Sequence, residues 1–514
     1  MTFLDDDRSI KRTLWWLLAI SAVIRCIVAA TVEFGNDEVY YWTYALYPDW
    51  SHFDHPPMVG WIIQLFSLNL LFDSEFFIRL SSIVFITLNT YLMFRIGKEI
   101  KDSLTGLYAA LLYTASVYAF VITGIFILPD TPLSLFWLLA FWMSIRYFRA
   151  EHSRNLHLVL IGLFTGLAML SKYTGVFIWV GIAFYILLFD RKQLKNPFLY
   201  LSVLISAVCC LPILYWNMQN DFISLGFHGS RVSLFGKPNF SYFGTELAGE
   251  FFYNNPVNFV LAIIAVIATF RGKIQMDQPT SRLVLCIALP LILIFWFFAL
   301  TRPTLPHWNA PAYNLLILLS ACLLSSKRAD NTSHVNFPKT IIAALSVLIL
   351  ILGIGYAEIQ TGFIPLDRHT EAESMGRNDF TLDMYGWRQL ETKFAPMREA
   401  TIAEGLMDEG DAIIADQWFP LANLDYYVAR PLGMKVLGMG KPENLHKYLW
   451  INKERGDFHP GEDYWFLSDS RYMKYPNELY PDQFVSIHHV GTIPIERGGR
   501  TVKNYFVYAC KHLK

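Results

Sequence analysis

Acidic and basic side chains cluster in two stretches that follow the first long apolar segment of the chain. Residues 36–42 read NDEVYYW, and residues 52–57 read HFDHPP. Carboxylates at a membrane surface are costly to remove from water, so they usually have a function. Asp37 and Glu38 are therefore candidate catalytic residues, and His55 is a candidate phosphate ligand. Asp37 also has a structural explanation, because aspartate is a good N-cap for a following helix.

Further connections between apolar segments carry polar residues of the same kinds. Residues 128–132 read LPDTP and residues 171–175 read SKYTG. The candidates in these connections and in two later ones are Asp130, Lys172, Arg231, Arg302 and His307. Each again has a structural alternative: the aspartate can cap a helix before a proline, the lysine can extend to the lipid headgroups, and the remaining residues can shape turns or face water.

This set of side chains suits the transfer of a sugar from a phosphodiester-linked lipid. The phosphate monoester leaves as a stable anion and needs cations, whereas an alcohol acceptor needs a base to take its proton. We expect Asp37 to be that base, with Glu38 and Asp130 in the catalytic set. Asp130 would orient Lys172 or bind sugar hydroxyls.

The donor phosphate would be held by charge-assisted hydrogen bonds. The residues expected to hold it are Lys172, Arg231, His55, Arg302 and His307. A divalent metal bridging Asp37, Asp54, His55 or Asp130 is an alternative, since oxygen ligands suit hard cations. The spacing does not require one, so we predict no metal site and no certain cofactor.

The elements that must position these residues are membrane-spanning helices. The chain has 514 residues, of which 54% are hydrophobic and 17% charged, and the charges lie between apolar stretches about as long as a bilayer-spanning helix. The formal net charge of −1 gives no indication of a nucleic-acid partner. The first apolar stretch contains Arg25 and Cys26 and lacks a convincing cleavage site, so we expect a retained helix. The six cysteines show no disulfide or metal pattern.

The hydropathy pattern predicts about eleven spans, and lysine and arginine between them fall on one side, which orients the N-terminus to the cytoplasm. The predicted spans are residues 13–31, 76–96, 104–126, 131–147, 156–170, 176–189, 198–215, 257–270, 283–300, 308–324 and 340–356. A long loop is expected from 216 to about 252. The fold class is thus a mainly α, polytopic membrane domain over residues 1–357.

Residues 358–514 have a globular composition and are expected to form a C-terminal periplasmic α/β domain. Strands are predicted at 412–415, 464–467 and 505–509, and a helix at 418–428.

Several of these motifs together resemble a known family. They are DEVYYW at 37–42, FDHPP at 53–57, Arg79, PDTP at 129–132, SKYTG at 171–175, WN at 216–217 and PHW at 306–308. The chain resembles bacterial relatives of the dolichyl-phosphate-mannose-protein mannosyltransferases (glycosyltransferase family 39) and of the lipid A aminoarabinose transferases, which share the GT-C fold. The resemblance covers most of the membrane part and fades in the C-terminal domain.

The resemblance implies a polyprenyl-phosphate-sugar donor, transfer at the outer face of the membrane, inversion at the anomeric carbon, and Asp37 as the base. One position departs from the pattern: aminoarabinose transferases have a lysine before the Pro-Pro pair, where this chain has His55. Histidine carries no permanent charge. The sugar and the acceptor therefore stay open.

We accordingly predict a glycosyltransferase of the bacterial inner membrane that modifies a lipid, glycan or protein acceptor. The main alternative is a secondary transporter or lipid flippase, which often shows internal repeats and polar residues near the midplane of the bilayer. The sequence shows no obvious repeat, and its unusual polar residues lie at the predicted outer ends of helices.

Overall fold

The computed structural model describes residues 7–149, 154–231, 237–326 and 337–514, without the side chains of residues 230 and 231. Two compact units form by packing. The helical unit comprises Met1–Ala30 and Asp49–Ile351, and the sheet unit comprises Thr31–Pro48 and Leu352–Lys514. The segment with Asp37 therefore packs with the C-terminal part of the chain. The functional division into 1–357 and 358–514 stays a prediction.

The mainly helical character expected from the apolar stretches is present. In chain order, the α-helices are α1 (Asp7–Thr31), α2 (Asn36–Leu46), α3 (Met58–Phe66), α4 (Glu75–Ile100), α5 (Ser103–Ala115), α6 (Asp130–Arg149), α7 (Asn155–Ser171), α8 (Phe177–Phe189), α9 (Pro197–Cys209), α10 (Leu211–Gln219), α11 (Ile223–Arg231), α12 (Phe240–Tyr253), α13 (Pro256–Phe270), α14 (Gln278–Ala299), α15 (Ala310–Ser326), α16 (Lys339–Thr361), α17 (Trp387–Ala403), α18 (Trp418–Leu424), α19 (Pro442–Leu445), α20 (Tyr448–Arg455) and α21 (Pro476–Leu479).

Within the described residues, five helical segments are long and apolar enough to cross a membrane, or up to seven if two bent pairs each count as one span. The five are Asp7–Thr31, Glu75–Ile100, Gln278–Ala299, Pro306–Ser326 and Lys339–Thr361. The bent pairs are α9 with α10 and α12 with α13. The chain is thus a membrane protein with several apolar helices, but the predicted count of eleven spans is not confirmed.

Two predicted elements of the helical unit are wrong in detail. The span expected at 104–126 is broken: α5 ends at Ala115, and a π-helical turn follows at Tyr118–Ile122. The long loop expected after residue 216 contains α11, α12 and the end of α10. In both places the apolar content is high, but the backbone changes direction where side chains and neighbouring helices satisfy its polar groups.

The sheet unit contains one five-stranded mixed sheet. Its strands are β1 (Ala412–Ala415), β2 (Val436–Gly438), β3 (Tyr464–Asp469), β4 (Phe484–Arg497) and β5 (Arg500–Leu513), in the order β2-β1-β3-β5-β4. β1 is parallel to β2 and β3, with Ile413 opposite Val436 and Trp465, while β5 is antiparallel to β3 and β4. β1 and β3 are buried along their full length, and accordingly β1 and the first four residues of β3 are continuous apolar runs.

The predicted strands at 412–415, 464–467 and 505–509 all lie in this sheet. The helix predicted at 418–428 is α18 followed by a π-helical turn at Asp425–Ala429. Strands β2 and β4 were not predicted. β2 has only three residues, and β4 contains His488, His489 and Pro494, which interrupt its apolar alternation.

Candidate active site

A buried ion pair stands at the centre of the polar residues in the helical unit. The Lys172 ammonium lies 2.7 Å from Asp130 Oδ2, and the two residues are only 5% and 2% exposed. Asp130 begins α6, and Lys172 directly follows the last residue of α7. The Tyr118 hydroxyl donates a hydrogen bond to Asp130 Oδ1 at 3.1 Å. Each carboxylate oxygen therefore has a partner, which satisfies the buried charge.

Tyr118 reaches Asp130 because the backbone after α5 forms a π-helical turn. Arg25, in α1, donates from Nε to the Phe120 carbonyl at 3.4 Å, and its guanidinium carbon lies 4.0 Å from the centre of the Phe120 ring. Irregular backbone inside a membrane helix bundle requires such side-chain partners. Both Arg25 and Tyr118 are fully buried, so the turn is fixed by packing as well.

His55 belongs to a second group of side chains in the same unit. The centroids of the His55 and His228 rings are 6.4 Å apart, and the His228 and Tyr173 ring centroids are 4.9 Å apart. His228 Nε2 lies 2.8 Å from the Asp54 carbonyl oxygen. The HFDHPP stretch, the SKYTG turn and α11 thus meet at one place.

The charge state of His55 follows from this environment. Burial lowers its pKa from 6.5 to about 3, Asp54 opposes that shift, and the Lys172 ammonium adds to it. Both Lys172 and Asp130 lie close enough for their charges to act on the imidazole. In the absence of ligand His55 is therefore neutral at physiological pH, able to donate or accept a hydrogen bond without carrying charge.

His307 is presented by a short 3₁₀ turn, Pro306–Asn309, just before α15. Its imidazole lies close enough to Lys172 and Asp130 for their charges to affect its pKa. The structure thus brings Asp130, Lys172, His55 and His307 together, four of the residues selected from the sequence. These four residues form a polar cluster, hereafter the Lys172 cluster. Lys172 is the one of the four that carries a permanent positive charge.

Two buried glutamates of α12 hold the turn that carries His307. The Thr304 hydroxyl donates to Glu246 at 2.7 Å, and the Asn309 amide donates to Glu246 at 3.1 Å and also to Glu250. The two carboxyl groups are hydrogen bonded to each other and are fully buried. Partners on both sides of His307 therefore fix its backbone.

Glu250 has further donors from neighbouring helices. The Trp296 indole N–H lies 3.0 Å from both carboxylate oxygens, and the Tyr313 hydroxyl donates at 2.8 Å. Such a set of donors fits an ionised carboxylate at Glu250. Sequence analysis missed this pair because residues 240–253 were assigned to a loop. The spacing of four residues within the run FSYFGTELAGEFFY was the available signal.

The other predicted acids lie in the sheet unit, in α2. Asp37 occupies the first turn and is exposed, whereas residues 38–45 are all buried. Glu38 accepts a hydrogen bond from the Gly35 backbone N–H at 3.0 Å. This contact closes a capping interaction at the start of the helix and gives Glu38 a structural function. The catalytic assignments of Asp37 and Glu38 stay predictions.

The remaining predicted phosphate ligands are less defined. Arg302 is half-buried in the connection between α14 and the turn with His307. Arg231 is the last residue of α11, and its side chain lies outside the described residues. Among the side chains that the structure describes, no group of three or more histidine, cysteine, aspartate or glutamate residues could hold a metal ion.

Comparison with known proteins finds a matching family model and a curated relative. The family model for dolichyl-phosphate-mannose-protein mannosyltransferase matches residues 54–216, which include His55, Asp130 and Lys172. The lipid A galacturonosyltransferase RgtD from Rhizobium johnstonii is 24% identical over 302 residues, or 57% of this chain. The aligned part spans 61% of the length of that curated relative.

Solved structures show the same fold along nearly the whole chain. ArnT from Cupriavidus metallidurans in the apo state has a TM-score of 0.63 at 13% identity, covering 97% of this chain and 98% of ArnT. The structure of ArnT bound to undecaprenyl phosphate has a TM-score of 0.60 at 13% identity, covering 96% and 97%. The family resemblance inferred from the sequence and the mainly helical fold with a C-terminal α/β part are therefore confirmed.

Proposed function

We propose that this protein is an integral membrane glycosyltransferase of the bacterial inner membrane. It moves a sugar from a polyprenyl-phosphate donor to an acceptor at the periplasmic face, with inversion at the anomeric carbon. The observation that carries the proposal is the buried Lys172–Asp130 pair, with His55 and His307 beside it. Buried ionisable groups in a membrane protein mark functional sites more often than structural ones.

The Lys172 cluster supports binding of the donor phosphate. An ammonium has three N–H donors, and among the described residues Lys172 has one hydrogen-bond partner, Asp130. Two donors therefore stay available for phosphate oxygens in charge-assisted hydrogen bonds. Asp130 fixes the direction of the lysine, and His307 and neutral His55 can add hydrogen bonds. Arg231 and Arg302 complete the proposed phosphate ligands.

Asp37 supplies the second part of the chemistry. The acceptor hydroxyl attacks the anomeric carbon, a new C–O bond forms there, and the bond to the phosphate oxygen breaks. The hydroxyl proton passes to the Asp37 carboxylate, and the electron pair leaves with the polyprenyl phosphate. A single displacement of this kind inverts the anomeric carbon. The Asp37 carboxylate is exposed, so an acceptor hydroxyl can approach it as general-base catalysis requires.

The comparisons favour a lipid acceptor among the lipid, glycan and protein classes. RgtD is named as a lipid A galacturonosyltransferase, and one ArnT structure contains undecaprenyl phosphate. We extend both to this chain as a proposal: a polyprenyl-phosphate sugar as donor and a lipid A-type glycolipid as acceptor. We further propose that membrane lipids surround the apolar helices and that the C-terminal domain lies in the periplasm.

A direct experiment tests the proposal. The purified full-length chain is reconstituted in liposomes with lipid A and a panel of undecaprenyl-phosphate sugars, and the lipid is analysed by mass spectrometry. We expect an increment of one sugar that depends on donor and protein. Parallel reactions with glycan and peptide acceptors show which class of acceptor receives the sugar. Absence of transfer to every acceptor, with donors shown to be intact, contradicts the proposal.

The transporter or flippase alternative makes a different prediction. A transporter exposes its substrate site to the two sides of the membrane in turn, whereas the proposed enzyme exposes Lys172 only to the periplasmic side. Amine labelling from each side of oriented vesicles distinguishes the two. Labelling of Lys172 from the cytoplasmic side, measured by peptide mass spectrometry, favours the transporter.

A further inference from the structure

The segment that precedes and contains α2 is held at its beginning by residues far along the chain. Glu33 accepts hydrogen bonds from the backbone N–H groups of Trp387 at 2.9 Å and Arg388 at 3.1 Å. These are the first residues of α17, so the Glu33 carboxylate caps that helix. Next to it, the Phe34 N–H donates to the Tyr427 hydroxyl at 2.6 Å.

The end of the segment is held by two cations. The Lys447 ammonium donates to the Tyr47 carbonyl and lies 4.9 Å from the centre of the Tyr44 ring. Arg455 Nε donates to the Tyr47 hydroxyl at 2.9 Å. Arg455 also forms an ion pair with Asp425 at 2.8 Å, so its guanidinium is fixed from the other side.

Aromatic packing joins these two attachment points. The Tyr40 ring lies 5.0 Å from the Trp418 ring, and the Lys447 backbone N–H donates to the Tyr40 hydroxyl at 3.3 Å. The Trp42 ring lies 5.1 Å from the Tyr426 ring. Residues of α2 thus contact the C-terminal part of the chain on more than one face of the helix, and Asp37 is left exposed in the first turn.

An isolated helix of this kind does not keep its position by itself. α2 has eleven residues, fewer than the length at which helices become stable in water. It also contains three tyrosines, a tryptophan and β-branched residues, which have modest helix propensity. Its place is therefore set by its attachments at Glu33, Phe34, Tyr44 and Tyr47.

We propose that the C-terminal part of the chain is the element that positions Asp37 for catalysis, with Lys447 and Tyr427 as positioning residues. This inference rests on the proposed function and adds to it. The C-terminal domain acts on the chemical step, in addition to any contact with the acceptor. Displacing a catalytic group by about 1 Å can reduce the rate about 100-fold, so loosening the attachments lowers kcat.

The test compares three variants in the full-length protein in liposomes. Lys447→Gln removes the cation at Tyr47, Tyr427→Phe removes one hydroxyl from Phe34, and Lys453→Gln is the control. Lys453 lies on the same helix as Arg455 and is exposed. We expect kcat to fall about 10-fold or more in Lys447→Gln and about 3-fold or more in Tyr427→Phe, with the donor KM within about twofold of wild type. Lys453→Gln is unchanged.

Conservative replacement and hydrogen exchange complete the test. Lys447→Arg keeps a cationic donor for the Tyr47 carbonyl and should have a higher kcat than Lys447→Gln. The backbone amides of peptide 31–48 exchange faster in Lys447→Gln than in wild type, and at the wild-type rate in Lys453→Gln. A purely structural effect on the whole fold would instead accelerate exchange in all peptides of the sheet unit.

Two results overturn the inference. The first is wild-type kcat in both Lys447→Gln and Tyr427→Phe. The second is unchanged exchange of peptide 31–48 in Lys447→Gln. If Lys447→Gln does not fold, the kcat of Tyr427→Phe tests the inference, because this variant removes a single oxygen atom and should still fold. If the wild-type protein transfers no sugar, the proposed function fails, and the exchange measurement still tests whether the C-terminal residues hold α2.

Discussion

Replacing Lys172 by glutamine tests whether the Lys172 cluster binds the donor phosphate. Glutamine keeps an N–H donor for Asp130, which is 2% exposed and accepts from Lys172 at 2.7 Å, but it removes the positive charge. A hydrogen bond to a charged group contributes about 1.5–3 kcal/mol. At about 1.4 kcal/mol for each factor of ten, the donor KM is expected to rise roughly 10- to 150-fold.

The assay measures initial transfer rates in liposomes over a range of donor concentrations. Lys192→Gln is the matched control, because Lys192 is exposed in the turn Arg191–Lys195 of the same unit. Thermal unfolding of each variant in detergent confirms that it is folded. A donor KM for folded Lys172→Gln within about twofold of wild type refutes the reasoning, because loss of a phosphate ligand cannot leave donor affinity unchanged.

Three further predictions concern the same unit. Asp130→Asn leaves Lys172 as a buried charge without an ionised partner and should lower the free energy of unfolding by about 3 kcal/mol. The double variant with Lys172→Gln should restore part of this loss, as measured by thermal unfolding. If the losses of the two single variants simply add in the double variant, the prediction is contradicted. In the folded protein His55 has a pKa of about 3, whereas in the unfolded chain its pKa is near 6.5, so acidification from pH 6.5 toward pH 3 destabilises the fold. His55→Gln should therefore lose less stability than wild type between about pH 6.5 and about pH 5. Parallel curves of unfolding free energy against pH for the two proteins contradict this. Glu250→Gln places an amide N–H against several N–H and O–H donors and should lower the free energy of unfolding by about 1–3 kcal/mol. Glu246→Gln should cost under about 1 kcal/mol, because its amide can donate a hydrogen bond to the Glu250 carboxylate. Equal losses of stability in the two variants, measured by thermal unfolding, contradict this.

The site residues that could be predicted from the sequence are those in the connections between apolar helices. Asp130 and Lys172 were selected because each stands at a junction between apolar segments, and they form an ion pair. His55 and His307 lie in other connections, and the structure brings them to the same cluster. Helices that cross a membrane have few ways to turn, so their connections at one side lie close together.

The parts that were missed depend on departures from regular structure. Tyr118 reaches Asp130 through a π-helical turn that the uniformly apolar sequence 104–126 does not indicate. Glu246 and Glu250 lie in α12, which ends at a sharp bend before α13, so the hydropathy pattern did not distinguish this helix from a loop. The attachment of α2 to residues about 350–410 positions later is a tertiary contact, which periodicity cannot show.

The role of Asp37 is the central claim, and one measurement tests it most directly. Transfer is measured for Asp37→Asn in liposomes supplied with donor and acceptor, with Asp482→Asn, an exposed aspartate of the same unit, as control. We predict that Asp37→Asn lowers kcat by about 100-fold or more and leaves the donor KM within about twofold, because only the proton acceptor is lost. Transfer by Asp37→Asn at the wild-type rate would contradict the account.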